Sequence, residues 1–361
     1  MPGVLFVTRK FPPSVGGMET LAADVWATLR VGCARPRVIA HGGSLLGLPW
    51  FMLRAVVGTV ALVVGRRCDV VLTGDVVMYL LLGPVLRTLR VRHATMAMGK
   101  DVVWERHLYQ QAVRTCLHRA PLVLAISSAT ADAVRAAGVV PERVRVVRLG
   151  IDPPGDGMDR RDARASVISR YGLPDDAVLL LTLGRLVRRK GVAWFIAEVL
   201  PHMPGRAHYL VAGSGPDWSR IDEAVRTTGM AGRVTLLGRV GKDDRELLMH
   251  GADVFVQPNT PVPGDMEGFG LVAVEAAMRG SCVVAADLEG LRDAVADGET
   301  GILVAPEDAL AWIATLTHLV DDPAEARRAG QRFSAACRRA YDREVMGHEL
   351  ARLLGIDDAS A

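Results

Sequence analysis

A chain of 361 residues is too long for one ordinary hydrophobic core, so two domains are expected. Half of the residues are hydrophobic, which excludes a disordered or low-complexity protein. Five cysteines (Cys33, Cys68, Cys116, Cys282, Cys337) lack CxxC or His-pair spacing, which argues against a zinc site and for a reducing compartment. Charge is unevenly divided. Residues 1–150 carry 19 Lys and Arg against 8 Asp and Glu, and the remainder carries 24 against 32. A basic half suits anionic lipid, phosphate or an acidic substrate. The arginines are not interleaved with surface aromatics and no nucleic-acid motif is present, so no nucleic acid is expected as a partner.

The opening "MPGVLFVTRKFPPSVGG" has too short an apolar run and no small-residue cleavage site for a secretory leader, so the expected location is cytoplasmic. Residues 4–8 read as a strand, and "METLAADVWATLR" after it as a helix. A strand at 38–40 precedes the apolar segment 45–65, "LLGLPWFMLRAVVGTVALVVG". Pro49, Arg54 and three glycines interrupt that segment, so it reads as a buried or interfacial helix rather than a membrane span. Further strands are expected at 70–73, 92–96, 123–126 and 144–147, with "SATADAVRAAG" as a helix.

A segment rich in proline, glycine and aspartate, residues 149–165, marks the domain boundary, where the charge balance also changes sign. Strands follow at 178–183, 209–212, 234–236, 254–257, 282–285 and 302–304, with helical stretches such as "RELLMHGA" between them. Strands alternating with helices imply parallel sheets covered on both faces. The expected fold is therefore α/β, with two doubly wound, Rossmann-like domains facing a cleft. Residues 1–151 form the first and 152–334 the second.

Three stretches carry chemistry. In "TRKFPPSVGGMET" a strand runs through a Pro-Pro loop into Gly16, Gly17 and a helix, whose backbone amides suit a phosphate or sugar. In "LTLGRLVRRKGV" a strand ends at Gly184, and Arg185 and Lys190 follow. Two cations at a strand's carboxyl end can hold a diphosphate and stabilise its charge as it leaves. Arg188 and Arg189 are basic too, so a solvated basic loop is the plain alternative. In "GDMEGFGLVAVEAAMRG" Gly268 and Gly270 flank Phe269 at a helix start. Leu271, Val274, Glu275 and Met278 share one face of that helix. A carboxylate on a packing face is costly without a partner. Glu275 leans back toward the glycine turn, where sugar hydroxyls could donate to it; an arginine elsewhere in the chain is the alternative partner. Glu267 lies in the loop before the helix, placed to accept from a sugar or merely to favour the helix dipole. "AGSGP" at 212–216 is too short for a dinucleotide fingerprint.

In this order and at these separations, the three stretches resemble the family 4 retaining glycosyltransferases of the GT-B fold. The Glu-x7-Glu pattern of Glu267 and Glu275, with Phe269 and Gly270 inside it, is the most specific element. The likeness continues through "CVVAADLEGLRDAVADGETGILV" and is weakest over residues 30–90. The resemblance implies that Arg185 and Lys190 bind the donor diphosphate and Glu275 the ribose hydroxyls. It implies that Glu267 orients the donor sugar, and that amides of Phe269, Gly270 and Leu271 meet sugar and phosphate. Gly16 and Gly17 would approach the diphosphate from the first domain. A last helix, around residues 335–354, would cross back onto that domain.

Two positions depart from the family pattern. Many members carry His-Gly after the fourth strand of the first domain. Here Met98 precedes Gly99, and methionine cannot donate a hydrogen bond to a sugar hydroxyl. Lys100 or Asp101 would have to supply a polar group in its place; nearby His93 and His107 read as structural. Near the boundary, Leu149-Gly150 stands where Asn-Gly is common. The implied activity is retaining transfer of a sugar from a UDP- or GDP-linked donor to a hydroxyl acceptor, with no cofactor and no metal. Separately from the resemblance, the basic first half and the apolar 45–65 segment suit docking on an anionic membrane at its inner face, and a phosphorylated or acidic soluble acceptor suits the basic surface equally well. A nucleotide-sugar epimerase and a non-catalytic nucleotide-sugar-binding protein are the alternatives.

Overall fold

The computed structural model describes residues 3–14, 16–33, 35–155 and 158–356. The chain divides into two compact units. Unit 1 comprises Met1–Asp152, Gly264–Gly268 and Tyr341–Ala361; unit 2 comprises Pro153–Pro263 and Phe269–Ala340. Residues 156 and 157, inside the expected boundary segment, lie outside the described residues.

Unit 1 is a six-stranded sheet in the order β2-β1-β3-β4-β5-β6, with every pair parallel. Its strands are β1 (Gly3–Thr8), β2 (Arg35–Ala40), β3 (Val70–Thr73), β4 (Arg92–Ala97), β5 (Val123–Ala125) and β6 (Val144–Val146). The central strands β1 and β3 are buried along their length and read as continuous apolar runs, as strands covered on both faces do. Edge strand β2 alternates exposed and half-buried residues and tolerates Pro36, because an edge strand can spare a donor. The helices are α1 (Gly17–Gly32), α2 (Leu48–Val64), α3 (Val76–Thr88), α4 (Lys100–Val103), α5 (His107–Cys116) and α6 (Ser128–Ala136). Asp75 and Ser127 cap α3 and α6, accepting from the Met78 and Thr130 amides at 2.9 and 3.1 Å.

Unit 2 is also six-stranded and parallel, in the order β12-β11-β10-β7-β8-β9. Its strands are β7 (Val178–Leu183), β8 (Ala207–Ala212), β9 (Val234–Gly238), β10 (Val254–Gln257), β11 (Cys282–Ala286) and β12 (Ile302–Val304). Its helices are α7 (Arg160–Tyr171), α8 (Val192–Trp194), α9 (Trp218–Thr227), α10 (Lys242–Gly251), α11 (Leu271–Met278), α12 (Leu291–Ala294), α13 (Ala309–Asp321) and α14 (Pro323–Ala340). Phe195 packs on Tyr209 at 4.9 Å and on Trp312 at 6.1 Å between ring centres, and all three are fully buried. The Tyr209 hydroxyl is satisfied by Thr182 at 2.6 Å. At the amino ends of β7 and β10, the buried carboxylate of Asp253 takes the Leu179 amide at 3.0 Å and Arg164 Nε at 3.2 Å. β7 and β10 are neighbours although they are not consecutive in the chain. The strand order reverses there, and ligands of open parallel sheets bind beyond the carboxyl ends at such a point.

One expectation about the chain's end needs correction. Residues 335–354 are not one helix. α14 closes at Ala340 in unit 2, and α15 (Arg343–Leu354) belongs to unit 1. Asp342 breaks the run by capping α15 through the Glu344 amide at 2.9 Å. α15 packs on α1, and Met346 and Leu350 are fully buried. Arg343 bonds Asp24 at 3.1 Å and pairs with Asp152. Leu350→Ala is expected to cost about 2–5 kcal/mol by leaving a cavity, measured as a lower midpoint in urea. A loss below about 0.5 kcal/mol, the size of a surface change, would mean that α15 does not hold unit 1 together.

Candidate functional site

Two of the singled-out stretches leave from the adjoining strands β7 and β10 of unit 2. After β7 the chain turns at Gly184 and presents Arg185 to solvent; Lys190 is only 8% exposed. This basic loop is pinned by the loop after β10. The Thr260 amide donates to the Arg189 carbonyl at 2.9 Å, and its hydroxyl reaches the Arg188 carbonyl at 3.4 Å. Gly191, at φ +64°, lies so close to that loop that a Cβ would fall 1.8 Å from the Pro258 carbonyl oxygen. No other residue fits there. The expectation of a merely solvated basic loop is therefore wrong for Lys190, which is buried.

α11 begins at Gly270, in the left-handed region at φ +101°. No side chain caps its first turn, so the Leu271 and Val272 amides lie at the helix start ahead of the Ala273 amide, which donates to the Gly270 carbonyl at 2.9 Å, and an anion is favoured there. A Cβ at Gly270 would meet Leu291 at 2.5 Å, and Phe269 is buried.

Glu275 has a protein partner. Arg245 on α10 pairs with its carboxylate, and Arg279 bonds its carbonyl oxygen at 2.9 Å. Arg279 also bonds Glu246 at 2.7 and 2.9 Å. The expectation that Glu275 needs a ligand to justify its burial is thus corrected: Arg245 answers that cost from within the protein. Burial raises the Glu275 carboxyl above the ordinary carboxylate range, and the two arginines pull it back. Nothing in the sequence pointed to Arg245, which lies 30 residues away on a different helix.

Glu267 falls in unit 1, as part of Gly264–Gly268, while Glu275 belongs to unit 2. Its loop seats on the turn after β4. A Cβ at Gly268 would lie 2.4 Å from the Met98 carbonyl oxygen, and one at Gly99 would lie 3.0 Å from the Gly268 Cα. Lys100 pairs with Asp265 at 3.0 Å, and Glu267 is buried. Asp101 is turned inward, accepting from the Met98 and Val76 amides at 2.8 and 2.9 Å. Burial and the neighbouring Asp75 raise its carboxyl to about 7. It is committed to the backbone and does not supply the polar group that the Met98 side chain lacks. His93 is buried, bonds the Val91 carbonyl at 2.9 Å and stacks on Tyr79, while His107 is exposed.

Elsewhere in unit 1, Gly16 precedes α1 in an extended conformation, and a Cβ at Gly17 would meet nothing within 4 Å. Glu19 stands beside this helix start, paired with Lys10 at 3.0 Å. Arg9 pairs with Asp75 at 3.1 Å, tying the loop after β1 to the loop after β3.

Arg245→Met removes the charge facing Glu275 and leaves a carboxylate with few partners. About 1–3 kcal/mol of stability should be lost at alkaline pH. A carboxyl raised in the fold contributes stability below its unfolded value that is lost as pH rises through the folded value. In the variant the remaining influences on Glu275 are mainly raising ones, so its deficit should shrink as pH falls through the variant's raised folded value. Urea midpoints of the two proteins across pH would show this; a deficit independent of pH would assign it to packing alone.

Two family models match the chain, one described as Glycosyltransferase Family 4 over residues 13–154 and the other as Glycosyl transferases group 1 over residues 177–322. D-inositol 3-phosphate glycosyltransferase 2 of Catenulispora acidiphila is 33% identical over 255 residues, 65% of this chain and 55% of that protein. Alpha-D-kanosaminyltransferase of Streptomyces kanamyceticus is 28% identical over 244 residues, 66% of this chain and 61% of that protein. The chain thus spans little more than half the length of these relatives. Among solved structures, Anabaena Alr3699/HepE in complex with UDP-glucose superposes with a TM-score of 0.76 at 20% identity, covering 98% of this chain and all of that one. Sucrose-phosphate synthase from Thermosynechococcus elongatus gives 0.75 at 20% identity, covering 97% and 98%. The epimerase alternative is not favoured by these matches. With two six-stranded parallel sheets and both family models along its length, the chain belongs to the family 4 glycosyltransferases of the GT-B fold.

Proposed function

We propose that the protein transfers a sugar from a nucleoside-diphosphate sugar to a hydroxyl acceptor with the anomeric configuration retained. The observation that carries this reading is that, within unit 2, the Arg185–Lys190 loop and the uncapped start of α11 each lie beyond the carboxyl end of one of the paired strands β7 and β10, Gly270 standing close to Gln257 at the end of β10. Cations and a helix amino end together suit a diphosphate. In this reading the bond from the anomeric carbon to the diphosphate oxygen breaks. The acceptor oxygen bonds that carbon from the same face, and the acceptor's proton passes to a diphosphate oxygen. Arg185 and Lys190 stabilise the leaving charge, a role that needs no metal and no protein nucleophile. Glu275, aimed by Arg245, accepts from the ribose hydroxyls. Glu267, Gly16 and Gly17 carry the sugar and diphosphate roles that the family resemblance implies.

The acceptor fits an anionic hydroxyl compound, soluble or lipid-linked. Unit 1 holds the basic part of the chain, and one relative is named for D-inositol 3-phosphate. The reaction is assigned to the cytoplasm, in keeping with five cysteines that are all free.

Because a bound ligand raises the melting temperature with its affinity and concentration, a thermal-shift panel of UDP, GDP, ADP and their sugar conjugates tests the donor site. A shift of the wild type with one diphosphate and its sugar, lost in Arg185→Ala, is expected. No shift with any of them would count against a donor site. Once the donor is known, Arg185→Ala should lower kcat by about 10²–10³-fold. Product NMR should show the donor's anomeric configuration, and EDTA should leave the rate unchanged. Loss of activity with EDTA, restored by Mg2+, would remove the metal-independent part of the mechanism.

A further inference from the structure

α2 is apolar on two opposite faces, and among the described residues only one of them has a partner. Phe51, Ala55 and Thr59 are buried, with Met52, Val56 and Leu62 packed toward the same core of unit 1. Trp50, Leu53 and Val57 recur at helical spacing on the other side and are 72%, 54% and 60% exposed, in line with Leu46 before the helix and Val64 at its end. A helix apolar all round is ordinarily buried in a core or a membrane. α2 is 17 residues long, about 26 Å at the α-helical rise. Among the described residues no helix is long and apolar enough to cross a membrane. Arg54 also sits on the exposed side.

The charge around this face has one sign. Residues 25–68 contain no Asp or Glu. Arg54 borders the stripe, and Arg66 and Arg67 follow directly after the helix, all exposed. Beside Val63, a surface hollow gathers Arg66, Arg90 and Arg92 with a single carboxylate, Asp69. A two-fold contact with a second copy would oppose these arginines to themselves. An anionic lipid surface satisfies both features, taking the apolar stripe below the headgroups and pairing the arginines with phosphates. Trp50, at the amino end of the stripe, has the side chain that settles at such an interface.

The geometry points to the outer face of α2 as a membrane-docking surface that lies in the headgroup layer of an anionic bilayer. This rests on the sugar-transfer reading only for its purpose, which is to hold unit 1 beside a lipid-presented acceptor.

Co-sedimentation of the whole chain with vesicles of phosphatidylcholine, with and without phosphatidylglycerol, tests it without donor or acceptor. The wild type should pellet with the phosphatidylglycerol vesicles at low salt and be released at high salt. Arg66→Ala with Arg67→Ala should weaken binding about fivefold for each arginine. Trp50→Ser, Leu53→Ser and Val57→Ser combined should abolish it while leaving the melting temperature and any nucleotide-induced shift unchanged. If the triple variant does not fold, the wild type's fluorescence should still move to the blue on adding vesicles, and Trp50→Phe should lose that change. The inference is overturned if the wild type stays in the supernatant, or if the triple variant pellets like the wild type. It is also overturned if sedimentation velocity shows a wild-type dimer that the triple variant dissolves. A nucleotide-induced thermal shift with no vesicle binding would leave sugar transfer standing and remove the docking surface.

Discussion

The arrangement of unit 2 depends on how closely two backbones approach beyond the carboxyl ends of β7 and β10. Gly191 faces the Pro258 carbonyl with no room for a side chain, and the Thr260 amide closes the gap onto Arg189. The loop after β7 also bonds back to β8's side of the sheet, through the Gly184 amide to Ala212 at 2.9 Å and the Leu186 amide to Ser214 at 3.0 Å. A basic loop left to itself would spread its charges into water. Fastened on both sides, this one holds a buried lysine beside an exposed arginine, with the conformational cost already met in folding. Parallel pairing brings the chain to this end of the sheet, and glycine lets the loops close upon each other.

The same economy governs Glu275. A carboxylate in an apolar helix face would be raised and partly neutral if it stood alone. Arg245 and Arg279 keep it in reach of its charged form, and their own second contacts with Glu246 fix the direction from which they act. Such a network costs desolvation and returns geometry.

Much of this was legible in the chain. Four strands of the structure, β3, β7, β10 and β12, coincide with the sequence reading, because short apolar β-branched runs bounded by turn residues have few alternatives in a parallel sheet. The glycines of the site were legible as punctuation. What escaped is long-range. The Arg245–Glu275 pair joins two helices that sequence spacing does not relate. Assignment of Gly264–Gly268 to unit 1 follows from backbone contact between Gly268 and the Met98–Gly99 turn, which leaves no pattern in side chains. The break between α14 and α15 turns on one residue, Asp342, whose side chain competes locally for the amide that a continuous helix would use. α2 was legible as apolar, but periodicity could not say which of its faces the core would claim.

The methionine at position 98 shows how the two kinds of information combine. By side chain alone, Met98 offers no donor at a place where the family resemblance implies a histidine. By backbone, the position keeps its part in the fold: its amide is fixed by Asp101, and its carbonyl lies against Gly268. Asp101 is held in turn by the Val76 amide at the start of α3, whose cap is Asp75. The turn therefore seats the Glu267 loop through backbone approaches that need glycine at 99 and 268. The Met98 side chain is itself buried, so position 98 serves the packing of unit 1 with its side chain as well as with its backbone.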